Sequence, residues 1–411
     1  VTALQDRPGV QQAARGSARG VRRFWRAVVE GPLIHSYYAL AGSVLLLTAI
    51  GIMMVLSASA VESISAERSA YSYFLKQAVY AGLGVALMFA LSFVPTAWYR
   101  RGATWLLGLA VALLGLVFTG LGSTVNGNRN WIVVGGQSFQ PSEAAKLALC
   151  VWLAAVLARQ GSAVRDWRRA LWPSAAGFGV PVLMVALGQD MGTVLVFVLI
   201  YAAALFFAGA PLRLFGIAAA GAAVLGALAV ATAPHRVDRI TGWLFGECGA
   251  TDACWQAQQG LNALASGGWW GVGLGQSRLK YNYVPEAHND YIFSIIGEEL
   301  GLLGTVLILA LFALMALAMA RVILRARDPF VRLATAGVVT WLVGQAFINI
   351  GMVTGVLPVI GVPLPFISYG GSSLMMSLAA VGVVMSFTRL PRRIPVPSGS
   401  PRPRTPSKER P

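Results

Sequence analysis

The stretch YNYVPEAHNDYIFSIIGEELG, residues 281–301, sets a proline, two carboxylates and a histidine directly ahead of an apolar, helix-like run. Asp290 is the member of most chemical interest. Pro285 and Asn289 make a stop-and-cap pattern for a helix whose first turn starts near residue 290. One reading of Asp290 is structural, because an acid in a first turn offsets the helix dipole by about 0.3–1 kcal/mol. The other is functional. Helical spacing puts Asp290, Ser294, Gly297 and Gly301 on one face, and such small residues let a neighbour approach closely, which turns the carboxylate into the bundle. An ionisable group held there serves proton transfer, an ion path or substrate contact.

Four of the chain's other acids, Glu143, Asp190, Glu298 and Glu299, fall at or within apolar spans, where a charge faces a cavity or a partner. Glu143 and Lys146 are i,i+3 neighbours, either an ion pair that positions its helix or a substrate contact. Glu298 and Glu299, about two turns deeper than Asp290, brace neighbouring helices or line a polar cavity. The cations on the same side as Asp290 are Lys146, Arg236, Arg239, Arg278 and Lys280, with Glu286 placed to position Lys280 and His288 two residues before Asp290. Cys248 and Cys254, six residues apart in one long loop, suit a disulfide; the alternative is a pair of free thiols. No spacing of His or Cys indicates a metal site, and no cofactor is evident, although a divalent cation is left open.

The elements that must position these groups are membrane spans. With 56% hydrophobic and 12% charged residues in 411, and a mean hydropathy of +0.66, the composition is that of a polytopic membrane protein. Ten apolar runs are long enough to cross a hydrocarbon core of about 30 Å: 38–58, 74–94, 104–121, 142–159, 172–187, 190–209, 212–232, 290–320, 333–357 and 370–388. The fold class expected is therefore all-α, with about ten transmembrane helices. Arg100 and Arg101, the group from Arg159 to Arg169, Arg213, and the group from Arg321 to Arg332 fall in alternate loops, which makes those loops and both termini cytoplasmic. The net charge of +16 is then a topology signal and an attraction to anionic lipid, and nucleic acid is excluded as a partner. Residues 1–37 form a basic tail, the first span acts as an uncleaved anchor, 233–289 is a long outer loop, and the Pro- and Arg-rich 389–411 has no core-forming residues.

Several segments carry a resemblance: MVLSASA at 54–60, VNGNRNWIVVGGQSFQPSEAAKL at 125–147, QDMGT at 189–193, HRVDRI at 235–240, the stretch around Asp290, and QAFINIGMVTGVLPVIGVPLPFISYGGSSL at 345–374. In this order they resemble the SEDS family (shape, elongation, division and sporulation) of peptidoglycan glycosyltransferases, and Ala287 is closer to its division, FtsW-like branch. The sequence departs from the family pattern in NGNRNW, where Asn130 precedes Trp131 and Arg129 lies one place earlier.

The resemblance implies polymerisation of lipid II at the outer face of the bacterial cytoplasmic membrane, at the division septum, with release of undecaprenyl pyrophosphate. Asp290 matches the family's essential aspartate and would take the proton of the attacking hydroxyl. Substrate contacts would come from Lys146, Glu143, Arg236, Arg239, Lys280, Glu286 and His288. Pro358, Pro363 and Pro365 break the ninth span, and the restart with Ser372 and Ser373 near a helix N-terminus suits the diphosphate; a loop that merely closes the outer face is the alternative. A class B penicillin-binding transpeptidase and other divisome membrane proteins are the partners implied. A flippase of lipid-linked precursor and a non-catalytic divisome scaffold are the competing functions.

Overall fold

The computed structural model describes residues 32–65, 67, 69–125, 127–135, 137–231, 253–278 and 288–389. Each expected apolar run overlaps a helix, with ends that differ by up to five residues where the run overshoots: α1 (Leu33–Ser65), α2 (Ser72–Ser92), α3 (Thr96–Leu116), α4 (Pro141–Gln160), α5 (Trp167–Leu187), α6 (Met191–Ala208), α7 (Leu212–Ala231), α9 (Ile292–Arg325), α10 (Pro329–Val353) and α11 (Gly371–Thr388). A shorter α8 (Ala253–Ser266) precedes α9. Among the described residues eight helices, all but α3, α7 and α8, are long and apolar enough to cross a membrane. Starts follow local chemistry. Asp166, Asp190 and Asp328 cap α5, α6 and α10 through the backbone N–H groups of Arg168, Thr193 and Phe330 at 3.1, 2.9 and 3.0 Å.

The spanning windows of α4, α10 and α11 are 61, 67 and 78% buried, against 22% for α2 and α5. The first three therefore form the centre, and the other two keep wide faces for lipid. Glycine lets the backbones meet: a Cβ on Gly382 of α11 would strike the Met88 backbone of α2.

Three features differ from the sequence expectation. The segment between α3 and α4 contains a small antiparallel sheet, β1 (Gly122–Val125), β2 (Asn128–Val134) and β3 (Gln137–Phe139), in the order β1-β2-β3. Gly127 and Gly135, at φ 82° and 58°, supply the left-handed turn conformations its two hairpins require. The helix after Asp290 begins later than expected, at Ile292 with Tyr291 as N-cap, so Asp290 stands in the turn before the helix and not in its first turn.

The third difference is a break in α9 at Gly301, at φ 66° and ψ −164°. Leu302 and Leu303 cannot donate to the carbonyls of Glu298 and Glu299, four residues back. They donate instead to Gly268 and Trp269 at 2.9 and 3.3 Å, while Val272 and Gly273 donate to Glu298 and Glu299 at 2.9 and 3.1 Å. These four backbone groups, which the kink removes from the helix ladder, are thus satisfied by the 268–273 turn. The expected small-residue face is real, and its close neighbours are helix α8 and the turn after it: a Cβ on Gly260 would meet Ser294 Oγ, one on Gly297 the Leu264 side chain, one on Gly267 the Gly297 carbonyl, and one on Gly301 the backbone of Trp269 and Gly271.

Between α10 and α11 the chain folds back into the bundle without regular structure, burying Val362, Leu364, Phe366 and Ile367. Side chains satisfy its backbone. Gln345 donates to Pro363 O at 2.9 Å, Asn349 to Val362 O at 2.8 Å, and Gln77 of α2 both donates to Ser368 O and accepts from Gly370 N at 3.2 Å. Irregular backbone at this depth is tolerated because protein covers it.

Candidate active site

Asp290 owes its position to backbone, since three consecutive carbonyls before α9 are each claimed by a donor from the 349–369 region. Tyr369 N donates to His288 O at 3.1 Å, Ser368 Oγ to Asn289 O at 2.6 Å and Asn349 Nδ2 to Asp290 O at 2.8 Å. These contacts hold the turn before the helix, and α9 starts two residues after Asp290. The half-buried Asp290 then faces a cavity of about 360 Å³, and its Oδ2 lies 3.5 Å from the point where a Cβ on Gly361 would stand. Gly361, at φ 73°, leaves that space open.

The same cavity is lined by Asp190, which sequence reading placed inside the membrane region but not in the site. Its carboxylate accepts from Asn130 Nδ2 (2.8 Å), Gln140 Nε2 (3.2 Å), Thr193 Oγ1 (2.7 Å) and Thr193 N (2.9 Å). Asp190 therefore joins β2, the start of α4 and the start of α6 at one point. Asn130, the residue that departs from the family pattern, is one of its donors. Arg129 turns away and donates to the carbonyls of Val117 and Thr119 at 3.1 and 3.0 Å.

From α2 the cavity receives Tyr73, Lys76 and Tyr80. These residues were missed, although their i, i+3, i+7 spacing draws one polar stripe along an apolar span. His288 is buried beside this stripe, with ring centroids 4.9 Å from Tyr73 and 5.5 Å from Tyr369. Ser373 lines the cavity, whereas Ser372 lies behind it and accepts from Gln140 N at 3.2 Å.

Lys146 and Glu143 are not among the lining residues. They form a buried ion pair at 2.9 Å, each side chain 2% exposed, and Lys146 Nζ also donates to Gln345 Oε1 at 3.0 Å and sits 5.4 Å from the Trp341 ring centroid. Gln345 passes the link on to Pro363 O in the cavity wall. Glu298 and Glu299 brace: Ser277 Oγ and Arg278 N donate to Glu298 at 2.5 and 2.9 Å, and Ser57 of α1 and Ser277 N donate to Glu299 at 2.7 and 3.2 Å. Arg236, Arg239, Lys280, Glu286 and Cys248 lie outside the described residues, as does the side chain of Cys254, so the disulfide expectation falls there too. Among the described residues no group of three or more His, Cys, Asp or Glu gathers to hold a metal ion.

Fold and site together define a multi-pass helical membrane protein with a polar cavity that holds two carboxylates under a broken helix. The sequence profile of the FtsW, RodA and SpoVE family, described as cell cycle protein, matches residues 38–392, and the chain belongs to this family. It is 40% identical over 386 residues to the probable peptidoglycan glycosyltransferase FtsW of Mycobacterium tuberculosis, covering 93% of this chain and 73% of that protein. It is 38% identical over 355 residues to the stage V sporulation protein E of Bacillus subtilis, covering 85% and 95%. Among solved structures, a chain from the work on structural coordination of polymerization and crosslinking by a peptidoglycan synthase complex superposes with a TM-score of 0.72 at 30% identity, covering 86% of this chain and 97% of that one. The rod shape determining protein RodA of Thermus thermophilus gives 0.62 at 29% identity, covering 86% and 96%.

Proposed function

We propose that this protein is a peptidoglycan glycosyltransferase that polymerises lipid II at the outer face of the cytoplasmic membrane, with Asp290 as general base. The observation that carries the reading is the position of Asp290: its backbone is fixed at three successive carbonyls and its carboxylate lines the large polar cavity of the family fold. The carboxylate accepts the proton of the acceptor sugar's 4-hydroxyl as that oxygen bonds to C1 of the donor's N-acetylmuramic acid. The C1–O bond to the diphosphate breaks, undecaprenyl pyrophosphate leaves, and the configuration at C1 inverts. Fixing the base before the substrate arrives avoids reorganisation during the reaction.

The arginine distribution supports cytoplasmic termini and a cavity mouth on the opposite side of the membrane. A class B penicillin-binding transpeptidase is the proposed partner, supported by the likeness to a chain of a peptidoglycan synthase complex, and the FtsW relatives support a place at the division septum. Purified protein given lipid II in detergent, with and without that transpeptidase, tests the activity: glycan chains on a gel are expected. Translocation of lipid II across liposomes without polymer would favour the flippase alternative, and neither activity would leave the scaffold.

A further inference from the structure

Asn130 borders two cavities. It lines the large one, where its Nδ2 donates to Asp190 Oδ2 at 2.8 Å. It also borders a much smaller cavity of about 10 Å³, shared with Ser142 at the start of α4. An ionised carboxylate only accepts, so the amide must present its NH₂ to Asp190 and keep its oxygen turned from it. That oxygen, Asn130 Oδ1, is buried and has no hydrogen-bond partner among the described residues. The Ser142 hydroxyl, completely buried, has none there either. Buried polar atoms are rarely left so, and two of them at one small cavity point to a shared partner. The cavity identifies it by size and lining. A space of about 10–15 Å³ is what one water needs. The other walls include the apolar side chains of Leu114, Val117, Phe118, Met184 and Val185, and two side-chain oxygens are far fewer than the roughly six that a hard cation takes.

We infer that this small cavity binds one ordered water, which donates to Asn130 Oδ1 and shares a hydrogen bond with Ser142 Oγ, and that Asn130 and Ser142 are thereby positioning residues for the active site. Ser142 fixes the water to α4, the water holds the Asn130 amide, and Asn130 holds the Asp190 carboxylate on the wall of the large cavity. Asp190 depends on such support because its donors, two side-chain amides, a hydroxyl and a backbone N–H, are all neutral. Among the described residues no ion pair fixes its direction when one of them turns. The effect on reaction rate rests on the glycosyltransferase reading; the water site does not.

The test has two arms, both on the full-length protein. An experimental structure at a resolution that shows ordered water should have a density peak within hydrogen-bond distance of both Asn130 Oδ1 and Ser142 Oγ. No peak there, or a direct bond between the two side chains, overturns the inference. The second arm is a double-mutant cycle of Asn130→Ala and Ser142→Ala, read as the initial rate of polymerisation from lipid II per folded protein. The two side chains are not hydrogen-bonded to each other, so a strong coupling between them runs through the water. Ser142→Ala should slow the reaction about threefold and Asn130→Ala about tenfold, with the double variant no slower than Asn130→Ala alone. A normal rate in Ser142→Ala, or a double variant slowed by the product of the two effects, about thirtyfold, overturns the positioning role. If the wild type makes no polymer, the glycosyltransferase reading fails separately. The cycle is then read in thermal midpoints, where the same non-additivity is expected and additive shifts would overturn the link, and the density still decides the water.

Discussion

Asn349 donates from one side-chain nitrogen to the carbonyls of both Asp290 and Val362, at 2.8 Å each. A single buried amide on α10 therefore sets the turn carrying the proposed base against the broken segment that lines the same cavity beside it.

Replacing Asn349 with leucine keeps the branching at Cγ, adds some volume and removes the shared donor from both carbonyls, at about 1–3 kcal/mol each. We expect a clear fall in the thermal midpoint in detergent and a loss of polymerisation larger than the loss of folded protein. Wild-type activity per folded molecule would show that Asn349 holds structure only.

Asp190 invites a subtler change. All four of its contacts are donors, so the amide of Asp190→Asn must turn an NH₂ toward at least one of them. The variant should remain in the membrane but polymerise at least about tenfold more slowly, the cost of misplacing groups around the reacting atoms. Single-turnover rates normalised to folded protein measure it, and a near-normal rate would confine Asp190 to capping α6.

The Glu143–Lys146 pair is buried on both sides, which makes removal of one partner far costlier than removal of both. Glu143→Gln or Lys146→Met alone should destabilise by about 3–5 kcal/mol, and the double variant should recover most of it. Unfolding midpoints of the three proteins decide. Recovery of stability without recovery of activity would return the pair to a direct part in the reaction.

Much of this architecture was legible from local sequence, because membrane spans declare themselves by continuous apolar length. The acid at 290 stood out for the same reason, as a charge where charges are costly. The small face of Ser294, Gly297 and Gly301 and its packing on a neighbouring helix were also readable, but which helix was not: α8 and the turn at 267–273 reach it through long-range contacts, and the kink at Gly301 has no periodic signature. The sheet at 122–139 is not legible because its strands are too short for their alternation to stand out between two apolar spans. Asp190 was seen as an acid, yet only the fold brings it to the cavity of a residue one hundred positions away. Lys76 passed unnoticed inside an apolar run, since hydropathy averaging conceals a single cation among aliphatic neighbours.

Gly301 offers a purely conformational check. Alanine there meets both a left-handed φ and the backbone of Trp269 and Gly271, so Gly301→Ala should lower stability by about 1–3 kcal/mol or more. Gly108→Ala in α3, with nothing within 4 Å of the added methyl, should be neutral or raise stability by up to about 1 kcal/mol. Equal thermal shifts for the two would argue against the kink.

The most direct test of the central claim is the initial rate of glycan-strand formation from lipid II by Asp290→Asn, measured beside the wild type at matched amounts of folded protein. The substitution keeps size and polarity and leaves the backbone carbonyl that Asn349 holds, but the side chain can no longer take a proton. The account predicts an unchanged thermal midpoint and a rate lower by about 10²-fold or more, the loss expected with a general base. A rate close to wild type would contradict it, and Asp290 would then be only a polar residue at the entrance of α9.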